Sequence, residues 1–151
     1  MQTAKSKRLA ATLKAKFDEQ GGLLTQQRVA VYEYLHGVEH HPTAEEVYLA
    51  VKAKLPKISL ATVYKNLEAL VACGLASKLT YGDAAARYDI RTDHHYHSRC
   101  LACGRVSDVE PTAQQALAEQ IKTPKGFRVE DYRVELLGYC QQCQTTKTLN
   151  S

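Results

Sequence analysis

Residues 41–74 read HPTAEEVYLAVKAKLPKISLATVYKNLEALVACG. Thr43 precedes Glu46 by three positions, the spacing of a capping box, in which hydroxyl and carboxylate satisfy each other's backbone amides and start a helix. Val47, Ala50, Val51 and Leu55 then recur on one face until Pro56 stops the run. Ser59 is placed to cap the next helix, whose apolar stripe is Val63, Leu67 and Leu70 and whose terminator is Gly74.

Working outward, Leu9, Leu13 and Phe17 at spacing four predict a helix over residues 5–20 that Gly21-Gly22 ends. Thr25 caps another, carrying Val29, Val31, Tyr32 and Leu35. Beyond Gly74, β-prone runs at 75–81 and 87–90 flank the turn residues Gly82-Asp83. Helices followed by a hairpin predict a winged helix-turn-helix. The second half mixes strand-like runs at 106–109, 127–129 and 132–137 with a helical stretch near 112–122. The expected class is α+β, with a winged helix over 1–87 and a small α/β domain over 88–151. The tail Lys-Thr-Leu-Asn-Ser is expected to fray.

The chain has 151 residues, enough for two small domains that each need support from a metal or a partner. A hydrophobic content of 44% without any long apolar run argues against a membrane protein. The basic first residues lack the apolar core of a secretory signal, so the expected compartment is the cytoplasm. Net charge +4 permits a nucleic-acid partner without arguing strongly for one.

Four of the five cysteines form two C-x-x-C pairs, Cys100 with Cys103 and Cys140 with Cys143. Without an export signal this pattern favours metal over disulfides. Four thiolates suit a closed, tetrahedral, structural zinc site, and the long separation between the pairs makes the metal a clamp across a domain. Cys73, on an amphipathic helix, reads as a buried small hydrophobe.

A second concentration of ligand chemistry is Asp89, then Asp93-His94-His95-Tyr96-His97. In an extended segment His95 and His97 share a side with Asp89 and Asp93, while Tyr96 faces away. Asp108 lies on a predicted strand just beyond the first cysteine pair, and His41 lies in the loop before a capped helix. Imidazoles with carboxylates make a mixed site suited to Fe(II), Mn(II) or Zn(II).

With HPTAEEVY, ISLATVYKNL, RYD leading into HHYHSRCLACG, and GYCQQC in this order, the chain resembles the ferric uptake regulator family over nearly its whole length. The resemblance implies a homodimer, each subunit having an N-terminal winged helix and a C-terminal dimerisation domain. It also implies a regulatory metal held by His41, Asp89, His95, His97 and Asp108. Tyr96 in the variable position and two aspartates in the set are more similar to the peroxide-responsive repressors than to the iron-responsive members. In those repressors the regulatory metal is Fe(II) or Mn(II), and peroxide at the iron oxidises a histidine ligand; the matching positions are His41 and His95. The His94-His95 doublet departs from the usual segment, which leaves iron or zinc sensing open.

A recognition helix presents its first turns to the major groove. On the predicted helix that leaves Ser59, Ala61, Thr62, Tyr64 and Lys65 for double-stranded DNA, with Tyr64 a base contact by resemblance. Arg28, Lys57 and Lys78 are further phosphate candidates. A twofold dimer predicts a palindromic operator. The rivals are a zinc hydrolase or deaminase and a thiol redox protein. The glutamate and P-C-x-x-C signature of zinc deaminases is not in the chain, and the redox reading leaves the helix-turn-helix half without a role.

Overall fold

The computed structural model describes residues 3–82, 84–93, 95–110, 121–130 and 132–148, with 146–148 as backbone only. The chain divides into two compact units, Met1–Thr92 and Asp93–Ser151.

In the first unit α1 (Ala4–Glu19), α2 (Gln26–Gly37), α3 (Ala44–Lys52) and α4 (Leu60–Ala72) precede β1 (Ser77–Tyr81) and β2 (Ala84–Asp89). Helix starts are set by local chemistry. Thr25 Oγ1 accepts from Arg28 N at 3.1 Å, Ser59 Oγ from Thr62 N at 3.1 Å, and Thr43 forms the full capping box with Glu46. Each such cap contributes about 1 kcal/mol. α4 ends in a Schellman turn: Gly74 takes φ +76°, Leu75 N donates to Leu70 O, and Gly74 N donates to Val71 O. Leu13, Val31, Val47, Val63, Leu67 and Leu70 are fully buried where the four helices meet, each stabilising the unit by roughly 1.5–3 kcal/mol. Cys73 joins this core as a small buried side chain.

The hairpin pairs Ser77 with Asp89 and Lys78 with Tyr88, antiparallel, with an irregularity between the Leu79 and Tyr81 pairs. β2 is sewn to the loop before α3. Tyr88 N donates to Pro42 O at 2.9 Å, Arg87 Nη1 donates to His41 O at 2.8 Å, and Thr43 bridges to Arg87. Tyr88 and Asp89 thus belong to the wing, and the first unit runs to Thr92, past the expected boundary at 87/88. Cutting at 87 would split a paired strand.

In the second unit β3 (Tyr96–Cys100) is central, antiparallel to β4 (Val106–Val109) and parallel to β5 (Glu135–Gly138); α5 (Gln141–Thr148) follows. The strand expected at 106–109 is β4, and the run at 132–137 narrows to β5. Residues 127–129 are not a strand: Phe127 N closes a turn onto Pro124 O, and its side chain is 63% exposed. Most of the helix expected near 112–122 lies outside the described residues, and residues 121 and 122 are not helical. Lys147 and Thr148, expected to fray, close α5 instead. Among the described residues no helix is long and apolar enough to cross a membrane.

Candidate functional site

Two donor sets lie in the second unit. The first is the cysteine quartet. Cys100 ends β3, and the turn that carries Cys103 closes through Gly104, whose φ of +75° lets its N–H return to Cys100 O at 2.9 Å. Cys140 and Cys143 flank the first turn of α5, where a spacing of three places both on one side. The four Sγ atoms lie within 4.8 Å of one another, and Cys103 and Cys140 are 3.8 Å apart. A tetrahedral zinc with bonds near 2.3 Å needs sulfur–sulfur edges of about 3.8 Å.

The electrostatics also fit a cation. Backbone N–H groups of Cys103 and then Cys140 aim at Cys100 sulfur and bring its thiol down to about 6, while hydrogen bonding to Cys140 pushes Cys143 up to about 12. Zinc binding displaces whatever thiol protons remain, because the ligands must be thiolates. Convergence of both C-x-x-C pairs on one point favours this clamp over two separate redox dithiols.

The second set is His95, His97 and Asp108. His97 and Asp108 are direct partners in the β3–β4 register. Asp108 Oδ1 lies 3.0 Å from His95 Nε2 and 3.5 Å from His97 Nε2, and the two rings tilt with centroids 4.5 Å apart. His95 Nδ1 lies 2.7 Å from Asp93 O. A proton on Nδ1 donated to that carbonyl leaves the Nε2 lone pair to serve a metal, the usual support of a ligating histidine.

The first unit brings together His41 and Asp89. Both are buried, 4% and 2% exposed, with Nε2 and Oδ2 3.6 Å apart. The links from β2 to His41 O and Pro42 O hold the loop in this place, and Arg91 N donates to Asp89 Oδ1 at 2.8 Å. Every metal-ligand candidate from the sequence therefore sits with at least one other. Imidazoles and carboxylates are donors that Fe(II) and Mn(II) accept, as the thiolates are for zinc.

The DNA candidates divide. Ala61, Tyr64 and Lys65 are exposed on α4, and Ser59 and Thr62 are joined at its start by a 2.9 Å hydroxyl contact. Arg28 turns inward: its guanidinium lies 4.2 Å over the Phe17 ring, Nε donates to Asn66 Oδ1 at 3.1 Å, and Nη1 donates to Leu23 O. Sequence reasoning missed Asn66, a buried polar residue on the flank of the α4 stripe, and Glu45, which accepts the Tyr64 hydroxyl at 3.0 Å. Only the break in apolar periodicity at Asn66 hinted at either.

The model of the ferric uptake regulator family matches residues 19–137. The chain belongs to the ferric uptake regulator family. Among its relatives, the peroxide operon regulator of Bacillus subtilis is 41% identical over 125 residues, 83% of this chain and 86% of the relative. The solved peroxide stress regulator of Campylobacter jejuni is 33% identical with a TM-score of 0.62, covering 78% of this chain and 88% of its own. The Helicobacter pylori ferric uptake regulator, 22% identical, shares the fold with a TM-score of 0.76 over 92% of this chain and 93% of its own. Members of this family are regulators that bind DNA as dimers, not enzymes, which removes the hydrolase and redox rivals.

Proposed function

We propose that this chain is a peroxide-sensing, metal-dependent transcriptional repressor. One regulatory Fe(II) or Mn(II) is held by His41 and Asp89 from the first unit and by His95, His97 and Asp108 from the second. The metal-loaded homodimer binds a palindromic operator in the cytoplasm through α4, with Tyr64 and its neighbours Ser59, Ala61, Thr62 and Lys65 facing the groove.

The observation that carries this reading is the division of nitrogen and oxygen donors, two on one unit and three on the other. Neither set alone fills the roughly six positions that Mn(II) and Fe(II) prefer. An ion bound by both sets stabilises closed arrangements over open ones, so metal binding and operator binding are linked. The zinc clamp supports the strand on which His97 stands, and is scaffold rather than sensor. The named functions of the Bacillus subtilis and Campylobacter jejuni relatives favour peroxide as the signal.

Fe(II) held by these residues would help cleave the peroxide O–O bond, which Mn(II) does not readily do; in the net reaction one peroxide oxygen enters an imidazole C–H bond, the other leaves as water, and the imidazole is the two-electron reductant. The ligand histidines set the outcome. Oxidation of His41 or His95 removes an imidazole lone pair from the donor set, so the affinity for metal falls and repression with it.

The deciding experiment treats Fe(II)-loaded protein with peroxide and maps the products by mass spectrometry. One added oxygen on the peptide containing His41 or His95, absent from Mn(II)-loaded protein, supports the reading. Unmodified histidines alongside iron-dependent or zinc-dependent DNA binding would instead make the chain an iron-responsive or zinc-responsive regulator.

A further inference from the structure

α4 presents an exposed aromatic residue, and α3 has hold of it. Tyr64 lies one turn into α4 with 39% of its surface exposed, and its hydroxyl donates to Glu45 Oε1 at 3.0 Å. The two residues are 19 positions apart, so this contact ties two helices together and is not a local accident of one helix. An untethered surface tyrosine samples several χ1 wells, and ordering it on contact with a ligand costs roughly 0.5–1.5 kcal/mol.

The tether is well anchored. Glu45 occupies the first turn of α3, where a carboxylate is favoured by the helix dipole. The backbone there is fixed from both sides. Thr43 and Glu46 close the capping box before it, Ala44 and Val47 are buried beside it, and Arg87 of β2 approaches Glu46 at 3.6 Å. A carboxylate on a surface that meets phosphates is electrostatically unfavourable, so its presence beside α4 calls for a compensating role.

We propose that Glu45 is a positioning residue for sequence recognition, holding Tyr64 in one orientation before DNA arrives. This rests on the reading of α4 as the DNA-contacting helix. Glu45 touches no base. Its carboxylate repels phosphates everywhere along the duplex, while the ordered tyrosine gains only at the right bases. The repulsion is common to both kinds of site and cancels in their ratio, so the ordered tyrosine is what widens the difference between specific and non-specific binding.

The test uses the full-length, zinc-replete dimer loaded with Mn(II). The probes are a duplex enriched from a random-sequence pool by the wild-type protein and a scrambled duplex of equal length. Glu45→Ala is expected to bind the enriched duplex about fivefold more weakly, the equivalent of one modest hydrogen bond, with no loss on the scrambled one. Glu45→Gln keeps an acceptor for the hydroxyl and is expected to retain most of the wild-type preference. In the ratio of enriched to scrambled binding, Tyr64→Phe is expected to match Glu45→Ala, and the double variant to be no worse than either, because both remove one contact.

Losses that multiply in the double variant would overturn the proposal, as would a Glu45→Ala protein with unchanged preference. In either case metal-dependent DNA binding by the wild type would leave the repressor reading standing. If the wild type enriches no duplex under any metal, that reading fails and takes the proposal with it. Both residues are at the surface, and zinc content with circular dichroism confirms that each variant is folded.

Discussion

His97 on β3 and Asp108 on β4 are direct cross-strand partners, and His95, two residues before His97, reaches the same Oδ1 atom of Asp108. Sheet register therefore brings His97 and Asp108 together, and His95 joins them from the residue just before β3. Asp108→Ala removes the atom on which both rings converge while leaving the cysteines intact. Mn(II) affinity is expected to fall by more than the roughly 10–100-fold seen when a supporting residue is lost, with zinc content unchanged. Metal titration and elemental analysis of the same sample check both halves.

The cysteine quartet predicts a different failure. Cys100→Ser or Cys140→Ser breaks a four-thiolate site whose binding free energy is of order 10–16 kcal/mol, which is folding free energy for the unit that holds it. Zinc loss, a collapsed second unit and a monomeric protein are expected together in analytical ultracentrifugation and circular dichroism. A folded, zinc-free dimer would refute the clamp.

Arg28 is a phosphate candidate by charge alone, yet its guanidinium is stacked on Phe17 and bonded to buried Asn66. Arg28→Ala is expected to destabilise the first unit by about 1–3 kcal/mol, through lost packing and an orphaned amide. The salt dependence of DNA binding should keep its slope, since no phosphate contact is lost; a slope reduced by about one would return Arg28 to the DNA face. Thermal melts and binding at several salt concentrations separate the two.

On α4, Glu68 accepts from Lys78 Nζ at 2.8 Å and from the Tyr88 hydroxyl at 2.9 Å, both side chains coming from the wing. Lys78 first, then Tyr88, hold its carboxyl below the usual glutamate value. A depressed folded-state value gives stability that is present above the unfolded value near 4.5 and is lost as pH falls through the folded one. Because the Lys78 pair is exposed, that contribution is no more than about 1 kcal/mol. Glu68→Gln is expected to flatten this acid limb in melts between pH 6 and about 3, losing up to about 1 kcal/mol at neutral pH and converging with the wild type at the acid end.

What the sequence disclosed was mostly local. Thr25, Thr43, Ser59 and Gly74 announce helix ends because each acts on backbone within a few residues, and β4 was legible from its own four residues. The candidate donors were legible because cysteine pairs and alternating histidines have few other uses. The rest depends on partners distant in sequence. Phe127 and Val129 have strand composition, but strand formation needs a neighbour, and among the described residues they pair with no strand. α5 has no apolar stripe to reveal it and starts where the second cysteine pair needs a turn. The inward turn of Arg28 and the grip of Glu45 on Tyr64 depend on how helices pack, which periodicity does not encode.

β3 carries His97 and Cys100, three residues and about 10 Å apart, on opposite sides of one strand. A zinc on the cysteines and the proposed regulatory metal would thus share a single mechanical support. Removing zinc would free the end of β3 and its pairing with β5, and so misplace an imidazole that zinc does not contact. A cell with ample iron but too little zinc would then hold a repressor unable to report on peroxide, its apparent iron deficiency being a shortage of a different metal.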